Sequence, residues 1–294
     1  MGLLDQCEVF YGQTDAIGSR LYVRVRDVDP SRGLELAGTV RGPFCARATT
    51  LPSSVPLTAC PPGPSLLATA WVPDPCFWSP ALPAWYDVQL QLRSGGQLVQ
   101  QASWQLGIRQ LGVRGRDLFL EGRRWVLRGV DRRRAIGGML DEWRELSAAM
   151  LLVQFDEQLA RDASQSGVML LVTVDAPSEL LESRLRQISR HAAAAIVLLE
   201  NDPPTPQSLR QAAPNLLLAA RIETQSAPVP AWADLAIVAC GPATDLAEAL
   251  RGRDLPLLAQ RPLPQALPLV AARAACDRLQ RDLADAGDLA GYIV

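Results

Sequence analysis

Up to residue 112 the apolar and polar positions of this chain alternate; beyond it they do not. Residues 21–28, 66–72 and 85–92 place an apolar side chain at nearly every second position, the period of a half-buried strand. Between them lie the turn formers Asp29-Pro30-Ser31-Arg32-Gly33, Pro61-Pro62-Gly63-Pro64 and Ser94-Gly95-Gly96. Short strands at this spacing, with no helical pattern between them, predict a small antiparallel sandwich.

From residue 113 the pattern changes to short continuous apolar runs separated by helix-length segments. That is the signature of βα units around a parallel sheet buried on both faces. Eight strands are expected, at 126–130, 150–153, 168–174, 196–200, 216–219, 235–239, 256–259 and 289–294. Helices are expected at 156–166, 178–191, 244–251 and 271–286, where apolar residues recur at i, i+3 and i+4. The segment between the fifth and sixth strands is Pro-rich and is not expected to form a full helix. Eight strands match a closed barrel, yet 113–294 falls short of the ~250 residues usual for that fold. Strands and helices have little length to give, so the shortage falls on the βα loops, which build the active site in such barrels.

Composition narrows the function classes. The chain is 48% hydrophobic with a formal net charge of −2, and no apolar run reaches the length of a bilayer span. The first twenty residues lack the basic start and apolar stretch of a secretory signal, so a cytoplasmic location is expected. All 29 basic residues are arginine. Arginine suits bidentate anion contacts, but 31 acidic residues offset them. The bias therefore reads as compositional, and neither nucleic acid nor membrane is expected as a partner. Six cysteines form no C-x-x-C pair and there is a single histidine, His191. No metal or cofactor is expected, and the cysteines read as buried free thiols. His191 precedes an expected strand and reads as structural.

Four motifs carry a resemblance. They are Phe77-Trp78-Ser79-Pro80-Ala81-Leu82-Pro83-Ala84-Trp85-Tyr86, then Trp104-Gln105-Leu106-Gly107-Ile108-Arg109, then the run from Leu118 to Arg133, and last the tract from Arg190 to Asp202. In order and spacing they resemble the family 2 glycoside hydrolases, the β-galactosidase and β-glucuronidase relatives, from about residue 65 to the C-terminus. The resemblance implies a multidomain β + α/β fold. Residues 1–112 would form an immunoglobulin-like β-sandwich and 113–294 a shortened (β/α)8 TIM-type barrel. The Trp78 and Trp85 positions imply packing within the sandwich and at its interface.

The chemistry implied by the resemblance is eroded. A retaining glycosidase needs two carboxyl groups about 5–5.5 Å apart, one as acid/base and one as nucleophile. In the family these end the fourth and seventh strands. At the fourth this chain has Asp202 in place of Glu, preceded by Glu200 and Asn201; at the seventh it has Gln260 and Arg261, with no carboxylate. An amide forms no glycosyl ester under ordinary conditions, so loss of the nucleophile is expected. Asp175, Asp131 and Arg133 would line the mouth, with Glu121, Asp131 and Arg133 replacing the family's Asn, Asn and His. The expected role is a catalytically impaired protein that binds carbohydrate or a protein partner at the barrel rim. The alternatives are a residual β-glycosidase using Asp202 with Asp175 or Glu200, and a scaffold subunit.

Overall fold

The computed structural model describes residues 3–26, 28, 33–61, 63, 65–201, 206–222, 228–241 and 253–294. Its first part is antiparallel. Strands β1 (Glu8–Gly12), β2 (Gly18–Val25), β3 (Leu34–Phe44), β4 (Ser53–Ala59), β5 (Leu66–Pro73), β6 (Trp85–Ser94) and β7 (Gln97–Leu106) hydrogen-bond in the order β1-β2-β5-β4-β3-β6-β7. β4 pairs with β3 over most of its length and touches β5 only through Thr58 and Ala59, so it passes from one half of the sheet to the other. The arrangement is consistent with the sandwich expected. Its buried side chains form a separate core that includes Leu21, Val23, Val88, Leu90 and Leu92. The β6–β7 connection is a two-residue turn in which Gly95 (φ 54°) and Gly96 (φ 81°) adopt the left-handed conformation that a type I′ hairpin requires.

Strands β8 (Leu111–Arg114), β9 (Asp117–Leu120) and β10 (Arg123–Trp125) form a small three-stranded sheet leading into the barrel. The barrel is closed by eight parallel strands: β11 (Leu127–Asp131), β13 (Ala149–Leu152), β14 (Leu170–Val174), β15 (Ala194–Leu199), β16 (Leu217–Ile222), β17 (Leu235–Ala239), β18 (Leu257–Gln260) and β20 (Gly291–Ile293). The two remaining strands, β12 (Ala135–Ile136) and β19 (Leu267–Pro268), pair with each other outside it. Every residue of β13, β14 and β15 is buried. That is why these strands read in sequence as continuous apolar runs and not as alternation. Closure is made at Gly291, which pairs with Leu127 on one side and Leu258 on the other. A Cβ there would lie 2.7 Å from Leu127 Cβ and 2.9 Å from the Leu127 carbonyl oxygen, so only glycine fits the seam.

Helices are few. They are α1 (Leu140–Glu145), α2 (Glu157–Ser166), α3 (Ser178–Ser189), α4 (Pro206–Ala212) and α5 (Leu269–Asp282). Asp156 caps α2 by accepting the Leu159 N–H, and Gly167 ends it in the left-handed conformation. The expected helix 178–191 stops two residues early, because Arg190 is its cap and His191 belongs to the approach to β15. The expected helix 271–286 is α5 followed by a separate 3-10 turn at Ala284–Ala286. No helix is present among the described residues between β16 and β17, and the expected helix 244–251 lies outside the described residues. None of the described helices is long and apolar enough to cross a membrane.

None of the six cysteines is in a disulfide, but only Cys7, Cys240 and Cys276 are buried. Cys45, Cys60 and Cys76 are half-buried, contrary to expectation, because they follow β3, β4 and β5 at sheet ends that solvent reaches.

The antiparallel unit docks on the barrel face from which the parallel strands start. Arg109, only 5% exposed, donates to the backbone carbonyls of Ala192, Ala194 and Asn215, just before or at the start of β15 and β16. Asn215 and Tyr11 exchange hydrogen bonds of 3.0 and 2.8 Å. Trp78 is fully buried in the barrel core and donates its indole N–H to the Ser164 carbonyl at 2.7 Å. The opposite end of the barrel, where the strands finish, is left free of this contact.

Candidate functional site

Parallel barrels carry their chemistry where the strands end, because the βα loops converge there. At this end β15 hands over to Glu200 and Asn201, β14 to Asp175, β11 finishes at Asp131, and β18 finishes at Gln260. The register sets Leu199 beside Ala220, which brings Glu200 next to Arg221 near the end of β16.

Arg221 organises the mouth. Its guanidinium grips both Glu200 carboxylate oxygens, Nε to Oε2 at 3.1 Å and Nη2 to Oε1 at 3.0 Å. Its remaining nitrogen, Nη1, donates to Gln260 Oε1 at 2.7 Å. One planar fork therefore spans from the end of the fourth barrel strand to the end of the seventh, over β17 between them. Both charged side chains are about a third exposed, 30% and 31%, so the pair adds at most ~1 kcal/mol of stability. Its consequence is positional: the Glu200 carboxylate is engaged, and the group facing it across the fork is a neutral amide.

The other residues expected at the site are also turned toward neighbours. Asn201 donates to Asp175 Oδ1 at 3.0 Å. Asp131 is 8% exposed and accepts from the Arg133 backbone N–H at 2.9 Å and from its guanidinium at 2.8 Å, capping a short 3-10 turn over Arg132–Arg134. This pairing holds the Arg133 guanidinium above its ordinary pKa, through the hydrogen bond to Asp131 first and its charge second. Arg261 points away from Gln260; it pairs with Asp282 of α5 at 2.5 Å and lines a separate groove of about 410 Å³ with Leu263 and Arg278. Asp202 lies outside the described residues. The structure thus brings together Glu200 with Gln260, Asp175 with Asn201, and Asp131 with Arg133.

Arg221 was not among the residues expected from sequence. The apolar run was expected to end at residue 219, whereas β16 continues to Ile222. The signal was present as a lone arginine at the end of an otherwise apolar parallel strand.

His191 sits before β15, at the opposite end of the barrel from the mouth. It is 9% exposed, its ring lies 5.6 Å from that of Phe155, and its Nε2 has no hydrogen-bond partner among the described residues. Burial pushes its pKa down to about 4, so the ring is neutral near pH 7.

No protein-family model and no curated protein sequence matches this chain. Solved structures do. A β-glucuronidase from Bacteroides uniformis superposes with a TM-score of 0.65 at 16% identity, over 98% of this chain and 45% of that one. A β-D-glucuronidase from Dictyoglomus thermophilum gives 0.64 at 12% identity, over 99% and 61%. A GH2 β-galacturonidase from Eisenbergiella tayi, bound to glycerol, gives 0.58 at 13% identity, over 87% and 55%. This chain spans about half the length of the structures it matches. At such identities the likeness is one of fold.

Proposed function

We propose that this chain is a degenerate relative of the family 2 glycoside hydrolases that no longer cleaves glycosidic bonds and acts by binding at the barrel mouth. In this reading residues 1–112 are an immunoglobulin-like sandwich and 113–294 a shortened (β/α)8 barrel. The observation that carries it is the Arg221 fork between Glu200 and Gln260. Double displacement needs a free carboxylate to form the glycosyl ester. Here Glu200 is bound by a cation, and an amide stands at the end of the seventh strand. What remains is a ring of hydrogen-bonding groups able to hold a carbohydrate without breaking it.

A second reading, a protein partner at the same rim, is favoured by the apolar side chains exposed there. Ile136, Met139, Leu180 and Val270 all lie in segments that follow barrel strands, on the mouth side, and are 52–77% exposed. A group of exposed apolar side chains along this rim fits an interaction surface. Neutral sugars would draw on the polar groups inside the mouth; a partner would cover this rim.

Loss of the nucleophile is tested with electrophilic β-glycoside analogues that esterify the nucleophile of retaining glycosidases, read by intact mass. No adduct is expected after prolonged incubation. An adduct mapped to a carboxylate at the mouth would overturn the reading.

A further inference from the structure

Far from the mouth, a cleft of about 620 Å³ opens between the antiparallel sheet and α2, a volume within the range of small-molecule sites. One wall is the outer face of β6 and β7. Trp85, Asp87 and Gln89 alternate onto the same side of β6, and the register sets Ser103 beside Gln89 and Gln105 beside Asp87. The other wall is α2, through Glu157, Arg161 and Gln165. Gln165 bridges the walls by donating to Gln105 Oε1 at 3.0 Å, and Arg190, stacked over Trp104 at 6.0 Å, lines the cleft as well. His191 and Ala192 belong to the lining where the antiparallel unit meets the barrel.

Three features define what the cleft takes. Its charges balance, Asp87 and Glu157 against Arg161 and Arg190, so it has no preference for an ion. Its polar groups include pure acceptors, pure donors and groups that do both, and the side chains of Asp87, Gln89 and Ser103 have no hydrogen-bond partner among the described residues. Hydroxyl groups, which donate and accept in turn, match such a mixture. The half-buried indole of Trp85 supplies an apolar platform beside them.

We infer that this cleft is a binding site for a short neutral oligosaccharide, separate from the barrel mouth. The inference stands independently of what the mouth does.

The test is calorimetric titration of the full chain with glucose-, mannose-, galactose- and xylose-based tetrasaccharides. At least one is expected to bind. Binding is expected to weaken tenfold or more in an Asp87→Ala/Gln89→Ala variant and, from the opposite wall, in Arg161→Ala. Both variants alter side chains outside the cores and are expected to keep the wild-type melting temperature. Arg221→Ala, at the mouth, is expected to leave this binding unchanged. No binding by any of the four sugars would overturn the inference. So would binding that survives both cleft variants and is lost in Arg221→Ala, which would assign the sugar to the mouth.

Discussion

His191 is the only histidine, so its ionisation can be isolated by one substitution. Burial lowers its folded pKa to about 4 from the ordinary 6.5. Below pH 6.5 the unfolded chain takes up a proton that the folded ring refuses. The stability contributed by the neutral ring is therefore complete above pH 6.5 and is lost as the pH falls through about 4. At the low end the loss is at most about 3 kcal/mol. Urea denaturation between pH 7 and 4.5 is expected to show a steeper decline for the wild type than for His191→Gln; parallel curves would refute the assignment. Single residues were unevenly legible in the sequence. That His191 lies before a barrel strand and Gln260 at the end of one was legible from the apolar runs beside them. Arg221 stayed hidden because a bridge between the ends of two other strands exists only once the barrel closes.

At the scale of elements, the turn between β9 and β10 offers a direct test. Glu121 (φ 51°) and Gly122 (φ 74°) both hold left-handed backbone. Glycine adopts this freely, whereas glutamate is strained and asparagine tolerates it. Glu121→Asn is expected to stabilise the chain by about 0.5–1 kcal/mol, seen as a rise in melting temperature; no change or a fall would show that the turn is relaxed by other contacts. The eight barrel strands were legible because burial on both faces writes them as unbroken apolar runs. The short helices α1 and α4 were not, since one or two turns carry too few positions to establish a period. In the antiparallel unit β2, β5 and β6 stood out by alternation. β4 did not: Pro56 lies within it, opposite Thr39, and most of its residues are exposed. β7, at the sheet edge, turns Ala102, Trp104 and Leu106 toward the core and Gln101, Ser103 and Gln105 outward, but Gln100 among the inward residues and Val99 among the outward ones blur the alternation.

Across the whole molecule, Arg109 is one of the clamps that join the two cores, beside Trp78 and the Tyr11–Asn215 pair. Its guanidinium supplies donors to three carbonyls at the foot of the barrel from a nearly solvent-free position. Arg109→Ala is expected to cost about 2–5 kcal/mol in urea denaturation, since several buried carbonyls lose their donor together. Arg109→Lys is expected to recover little of it, because an ammonium does not reproduce the fork; a loss below ~0.5 kcal/mol in the alanine variant would contradict this role. The sequence motif containing Arg109 marked the exit from the antiparallel unit, but its clamping function depends on a docking geometry that no local pattern encodes. Docking at the foot leaves the mouth free, and there the central claim is decided. The most direct measurement is turnover of a panel of activated aryl β-glycosides by the wild-type chain beside Asp202→Ala. Activated leaving groups need little acid assistance, so the assay reports chiefly whether a nucleophile or base remains. The Arg221 bridge to Glu200 and Gln260 predicts no hydrolysis above the uncatalysed rate from folded protein. Hydrolysis that falls in Asp202→Ala would contradict it and establish a working glycosidase.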